Sequence, residues 1–129
     1  MNPDPEEIKE WLKIAEEDLI SAQILLNHEP PVPRTACFHC QQSIEKALKS
    51  FLTWKNEHFE KTHNIDYLLM LCKKHEFELD FLKDKAGIIT SYAVDDRYPG
   101  NLEISEEEAR EALDITNNVW RFISNHISI

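Results

Sequence analysis

Between Cys37 and Trp54 apolar residues return every three or four positions, at Cys37, Cys40, Ile44, Ala47, Leu48, Phe51 and Trp54. At about 100° of rotation per residue they fall on one side of a helix. A strand, which alternates faces every residue, would scatter them over both surfaces. His39, Gln42, Lys46 and Ser50 fall on another side of the same helix. The stripe therefore predicts a long amphipathic helix with one face for a core and another carrying chemically useful groups.

The neighbouring segments repeat the period. Asp4 is placed to cap a first helix with Pro5 at its first position, and Glu6 and Glu7 complement the positive end of the helix dipole. Its stripe is Ile8, Trp11, Leu12, Ala15, Leu19, Ala22 and Leu26, and Pro30, Pro31 and Pro33 end it. The second helix is predicted from Arg34 to about Trp54. Thr62 or Asn64 can cap a short third helix bearing Ile65, Leu68, Leu69 and Cys72, and a fourth is expected over residues 79–93, with Leu82, Ala86, Ile89 and Ala93 on one face. Gly87 inside that segment reads as a close approach between helices. Residues 95–101 read as a turn. Ser105 and Glu108 have the spacing of a capping box opening a last helix with Ala109, Ala112, Leu113, Thr116, Val119, Trp120, Ile123 and Ile127 inward.

The chain holds only two glycines and no alternating segment, so the fold class is all-α: an antiparallel up-and-down bundle of four to five helices, one domain spanning residues 1–129. A hydrophobic content of 42% is enough for a core without staples. No apolar run is long enough to cross a bilayer, and the first residues are acidic where a secretion signal is basic, so no membrane association and a cytoplasmic location are expected. Three cysteines do not make a disulfide framework. Cys37 and Cys40 form a CxxC, and zinc would need two further ligands such as Cys72 and His63. A CxxC inside a regular helix turns both thiols onto the core stripe instead, so neither a metal nor another cofactor is expected.

Twenty-four acidic residues oppose fourteen Lys and Arg, a net charge of −10 that disfavours indiscriminate nucleic-acid binding. The charge is uneven. Over residues 34–55 the basic residues are Arg34, Lys46, Lys49 and Lys55 and the only acid is Glu45, so an anionic ligand belongs there. Lys46 and Lys49 are candidates for phosphate contact, Arg97 can join them if the turn after the fourth helix folds over, and Tyr98 offers a face for a base. Glu45 can alternatively pair with Arg97 in a purely structural role. The acidic first and last helices, Asp18 among their residues, are either solvated faces or surfaces for a basic partner.

Four landmarks occur in order: Trp11-Leu12 with Ala15-Glu16 and Leu19, then Cys37-Phe38-His39-Cys40-Gln41-Gln42 with Glu45-Lys46-Ala47-Leu48-Lys49, then Thr62-His63-Asn64 before Leu68-Leu69, and finally Asp96-Arg97-Tyr98-Pro99. Together they resemble the HEPN domain family over about nine tenths of the chain. The resemblance implies an all-α bundle, commonly a homodimer, often encoded beside or fused to a minimal nucleotidyltransferase as a toxin–antitoxin pair. It also implies nucleotide or RNA association, for which the residues read as candidate phosphate or nucleotide contacts are Gln42, Lys46, Lys49, Arg97 and Tyr98, with Glu45 as a structural or site pairing residue. Some members are metal-independent ribonucleases with an Arg-x(4 to 6)-His motif, which Arg34 and His39 match in spacing. In that reading His39 takes the proton of a ribose 2′-hydroxyl and Arg34 stabilises phosphate charge. Five residues along a regular helix, however, set two side chains about 140° apart. A non-catalytic interaction domain is the third reading.

Overall fold

The computed structural model describes residues 3–93 and 103–127. Among them are six helices and no strand: α1 (Pro5–Asn27), α2 (Pro33–Trp54), α3 (Ile65–Lys73), α4 (Asp80–Lys83), α5 (Ala86–Ser91) and α6 (Glu106–His126). The all-α expectation holds, and the extra helix comes from one break.

Helix boundaries follow local chemistry. The Asp4 carboxylate accepts from the Glu6 backbone N–H, the Asn64 side chain accepts from the Tyr67 N–H, and Ser105 and Glu108 complete a reciprocal capping box. The end of α2 closes with Asn56 in the left-handed region (φ 58°), its N–H bonded to the Thr53 carbonyl and the Glu57 N–H bonded to that of Leu52. Glu76 does the same after α3 (φ 58°).

The segment expected as one helix over residues 79–93 is two. After Lys83 the Lys85 N–H bonds back only three residues, to the Leu82 carbonyl, and the helical ladder restarts at Ala86. Leu82, Ala86 and Ile89 still face inward, so periodicity recorded the buried face but not the continuity of the backbone. Gly87 is not a close approach: a Cβ built there meets nothing within 4 Å.

Helix α2 is the central element. Its buried side chains include Cys37, Cys40, Ile44, Leu48, Phe51 and Leu52, and it packs against α1, α6, α3 and α5. Small residues let α1 and α2 lie close: Ala15, Ala22, Ser43 and Ala47 are all fully buried, and the Ser43 hydroxyl donates to the Ala15 carbonyl at 2.7 Å. Cross-links from Arg110 to the Leu26 carbonyl and from the Trp120 ring N–H to the Leu12 carbonyl run α6 antiparallel to α1. Phe51 stacks on Phe77 with centroids 4.1 Å apart, fastening α2 to the turn after α3.

Candidate polar site on the α1–α2 seam

One hydrogen-bonded chain of side chains runs along the α1–α2 seam to the loop before α3. At one end Asp18 of α1 divides its carboxylate between two groups of α2, His39 Nδ1 at 2.9 Å and Lys46 Nζ at 3.2 Å. Lys46 also donates to Gln42 Oε1 (2.8 Å), and Gln42 Nε2 donates to Gln41 Oε1 (2.6 Å). Gln41 Nε2 donates to Glu45 Oε1 (3.3 Å) and to the His63 carbonyl (2.9 Å). At the far end the Glu45 carboxylate takes Lys49 Nζ on Oε2 and His63 Nδ1 on Oε1, each at 2.7 Å. Lys49 reaches on to the Thr62 carbonyl at 3.0 Å.

Burial divides this chain in two. The Glu45 and Lys49 side chains are 4% and 7% exposed, with the ammonium 5.6 Å from the Trp11 ring centroid and 5.9 Å from that of Phe59. Burial pushes the Glu45 carboxyl up, but hydrogen bonds from Lys49 and His63 outweigh it and hold the group below the ordinary carboxylate range. Glu45 is thus an ionised buried carboxylate in a satisfied ion pair. The Asp18 end is more open, with His39 28% and Lys46 20% exposed.

Several expected site residues therefore stand apart. Gln42, Lys46 and His39 are gathered on one seam, whereas Lys49 is turned inward and is not a surface cation. Glu45 is paired with Lys49 and His63. Arg97 and Tyr98 lie outside the described residues. Arg34 occupies the second position of a regular helix, so the irregular first turn that would bring it round to His39 is absent. It is exposed beside Glu103, Ile104, Ser105 and Glu108 at the start of α6, while His39 faces Asp18 of α1. Within one chain Arg34 and His39 thus face different neighbours.

Asp18 and His63 were missed as site members. Asp18 has a signal: it stands three residues after Ala15 and four before Ala22, on the flank of the core stripe, and only 15% of its side chain is exposed. It is not part of a solvated acidic face. His63 stands out in sequence only as a possible zinc ligand and in the Thr62-His63-Asn64 landmark, and nothing local marks its pairing with Glu45, eighteen residues away.

The thiols are core groups. Cys37, Cys40 and Cys72 are free and buried, and burial pushes them up to about 12, 11 and 12, so they carry no thiolate at neutral pH. Among the described residues no group of three or more His, Cys, Asp or Glu side chains is arranged to hold a metal, and no helix is long and apolar enough to cross a membrane.

This geometry defines a class: a helical bundle whose central helix buries a Gln-Gln-x-x-Glu polar chain against its first helix. The HEPN domain signature matches residues 8–126, and the chain belongs to the HEPN family. Two solved structures are similar. One is TT1696 from Thermus thermophilus, at 26% identity and a TM-score of 0.79, covering 93% of this chain and 98% of that one. The other is ST0689, an archaeal HEPN homologue, at 23% identity and a TM-score of 0.74, covering 94% and 98%. No curated protein matches the chain.

Proposed function

We propose that this chain is a non-hydrolytic HEPN module of the cytoplasm that holds a phosphate-bearing nucleotide or RNA segment at the open end of the α1–α2 seam. In this reading it works as a homodimer beside a minimal nucleotidyltransferase, in a toxin–antitoxin-like pair. The observation that carries the reading is the placement of Lys46 and His39 side by side on Asp18, both part exposed, with Gln42 adjacent. The Lys46 ammonium, oriented by the Asp18 carboxylate and by Gln42 Oε1, is a pre-oriented donor, which lowers the entropic cost of gripping an anion. The Asp18 charge limits the net attraction, which suits a selective contact better than a general nucleic-acid surface.

The separation of Arg34 from His39 favours binding over cleavage. Calorimetric titration of the purified chain with a ribonucleoside triphosphate tests this directly. Binding is expected, weakened about tenfold by Lys46→Met, the scale of one charge-assisted contact. Single-stranded RNA should stay intact in chelator, in the presence of wild-type protein and of His39→Ala alike. Cleavage by the wild type that His39→Ala abolishes would replace this reading with the ribonuclease one. Co-expression with a small nucleotidyltransferase, followed by size-exclusion chromatography, tests the partner.

A further inference from the structure

Among the described residues three histidines are hydrogen-bonded to carboxylates, and they differ in what they leave free. His39 belongs to the seam. His75 is tied through Nε2 to Glu57 at 2.9 Å and is 24% exposed. His63 is tied through Nδ1 to the most buried carboxylate of the three, Glu45, yet its own ring is 67% exposed. An ionised carboxylate only accepts hydrogen bonds, so the 2.7 Å bond places a proton on His63 Nδ1. In the neutral form of the ring the lone pair is on Nε2.

The ring is held more firmly than neutralising Glu45 requires. Lys49 already balances that carboxylate, and Gln41 also donates to the oxygen His63 uses. The backbone beneath the ring is pinned at consecutive residues. The Thr62 carbonyl accepts from Lys49, the His63 carbonyl accepts from Gln41, the Asn64 N–H donates to Thr62 Oγ1, and the Asn64 side chain caps α3. An exposed imidazole with a fixed backbone and a fixed tautomer is a pre-organised acceptor, unlike a freely rotating surface histidine.

We propose that His63 is a ligand-contacting residue whose Nε2 accepts a hydrogen bond from a ribose hydroxyl of a bound ribonucleotide, with Glu45 as the positioning residue that fixes its tautomer. The ligand class follows from the lone pair. A phosphate oxygen offers the neutral ring no proton, whereas a sugar hydroxyl does. Lys61, exposed two residues earlier, makes no ion pair among the described residues and adds a cation to the same loop. The inference rests on the nucleotide reading above and extends it to a residue outside the seam.

The test is titration of the full chain with a ribonucleoside triphosphate and with its 2′,3′-dideoxy counterpart, for the wild type and for His63→Phe, which keeps a flat exposed ring without the acceptor. The wild type should prefer the ribose form by about tenfold, the scale of one hydrogen bond left unmade in a site built for it. His63→Phe should bind both forms alike, at the dideoxy level. In the wild type the ribonucleotide alone should move the 15N resonance of His63 Nε2, and Glu45→Gln should lower the ribose preference as the fixed tautomer is lost. A wild type that binds both forms equally, or a His63→Phe that keeps the preference, overturns the assignment and leaves the nucleotide reading standing. A wild type that binds neither form overturns both.

Discussion

At the scale of single residues the Glu45–Lys49 pair is the most consequential feature of the chain, because both charges have left water. Removing one partner strands the other. Lys49→Met should therefore destabilise the fold by about 3 kcal/mol in chemical denaturation, the lower part of the range for broken buried pairs, since His63 and Gln41 still donate to Glu45. Adding Glu45→Met should recover most of that loss, because a packed apolar pair of similar volume needs no solvation. A double variant as unstable as the sum of the two singles would refute the account. The same group sets an acid sensitivity. The folded state holds the Glu45 carboxyl below its ordinary value of 4.5, so its contribution is fully present above that value and is lost as pH falls through the lower folded-state value. Unfolding free energy followed downward from pH 5 should fall less steeply in the double variant than in the wild type.

At the scale of elements, boundaries marked by local chemistry were legible and those set by tertiary packing were not. Asp4 and Pro5, the prolines before α2 and the Ser105–Glu108 box all act within four residues, so sequence alone located α1, α2 and α6. The break between α4 and α5 leaves the apolar spacing of Leu82, Ala86 and Ile89 untouched, and no Pro marks it. The C-terminal turn of α3 is a second such case, with Glu76 in a left-handed conformation that sequence does not advertise. A side chain with a Cβ is strained there, and Glu76 is exposed, so its carboxylate buries nothing in return. Glu76→Gly should raise stability by about 0.5–1 kcal/mol, after the extra unfolded-state entropy of glycine is subtracted from the relief of strain. Thermal unfolding of the single variant checks this, and a lowered Tm would show that the turn is held by something other than its backbone.

At the scale of the whole molecule, the polar chain lies on the helix that the sequence singles out, but Lys49, expected at the surface, is buried. The Glu45 to Lys49 spacing of four residues is the signal of an internal pair, yet composition alone read Lys49 as part of a free basic strip. Whether a lysine points in or out depends on what covers it, and Trp11 and Phe59 arrive from other parts of the chain. With Lys49 withdrawn and Lys46 tied to Asp18, the surface is more uniformly acidic than residues 34–55 suggest, and the net charge of −10 acts with little local relief. The exposed pairs Lys9–Glu6, Lys73–Glu78, Lys85–Glu111 and Arg110–Glu106 each contribute little. Self-repulsion among the excess carboxylates is the larger long-range effect, and both are screened over about 10 Å at 0.1 M salt. The buried Glu45–Lys49 pair is not. Raising sodium chloride from about 0.01 to about 0.15 M should therefore raise Tm, since screening removes more repulsion than attraction at the surface and leaves the interior pair intact. A Tm that falls over the same interval would mean that the surface pairs outweigh the net charge.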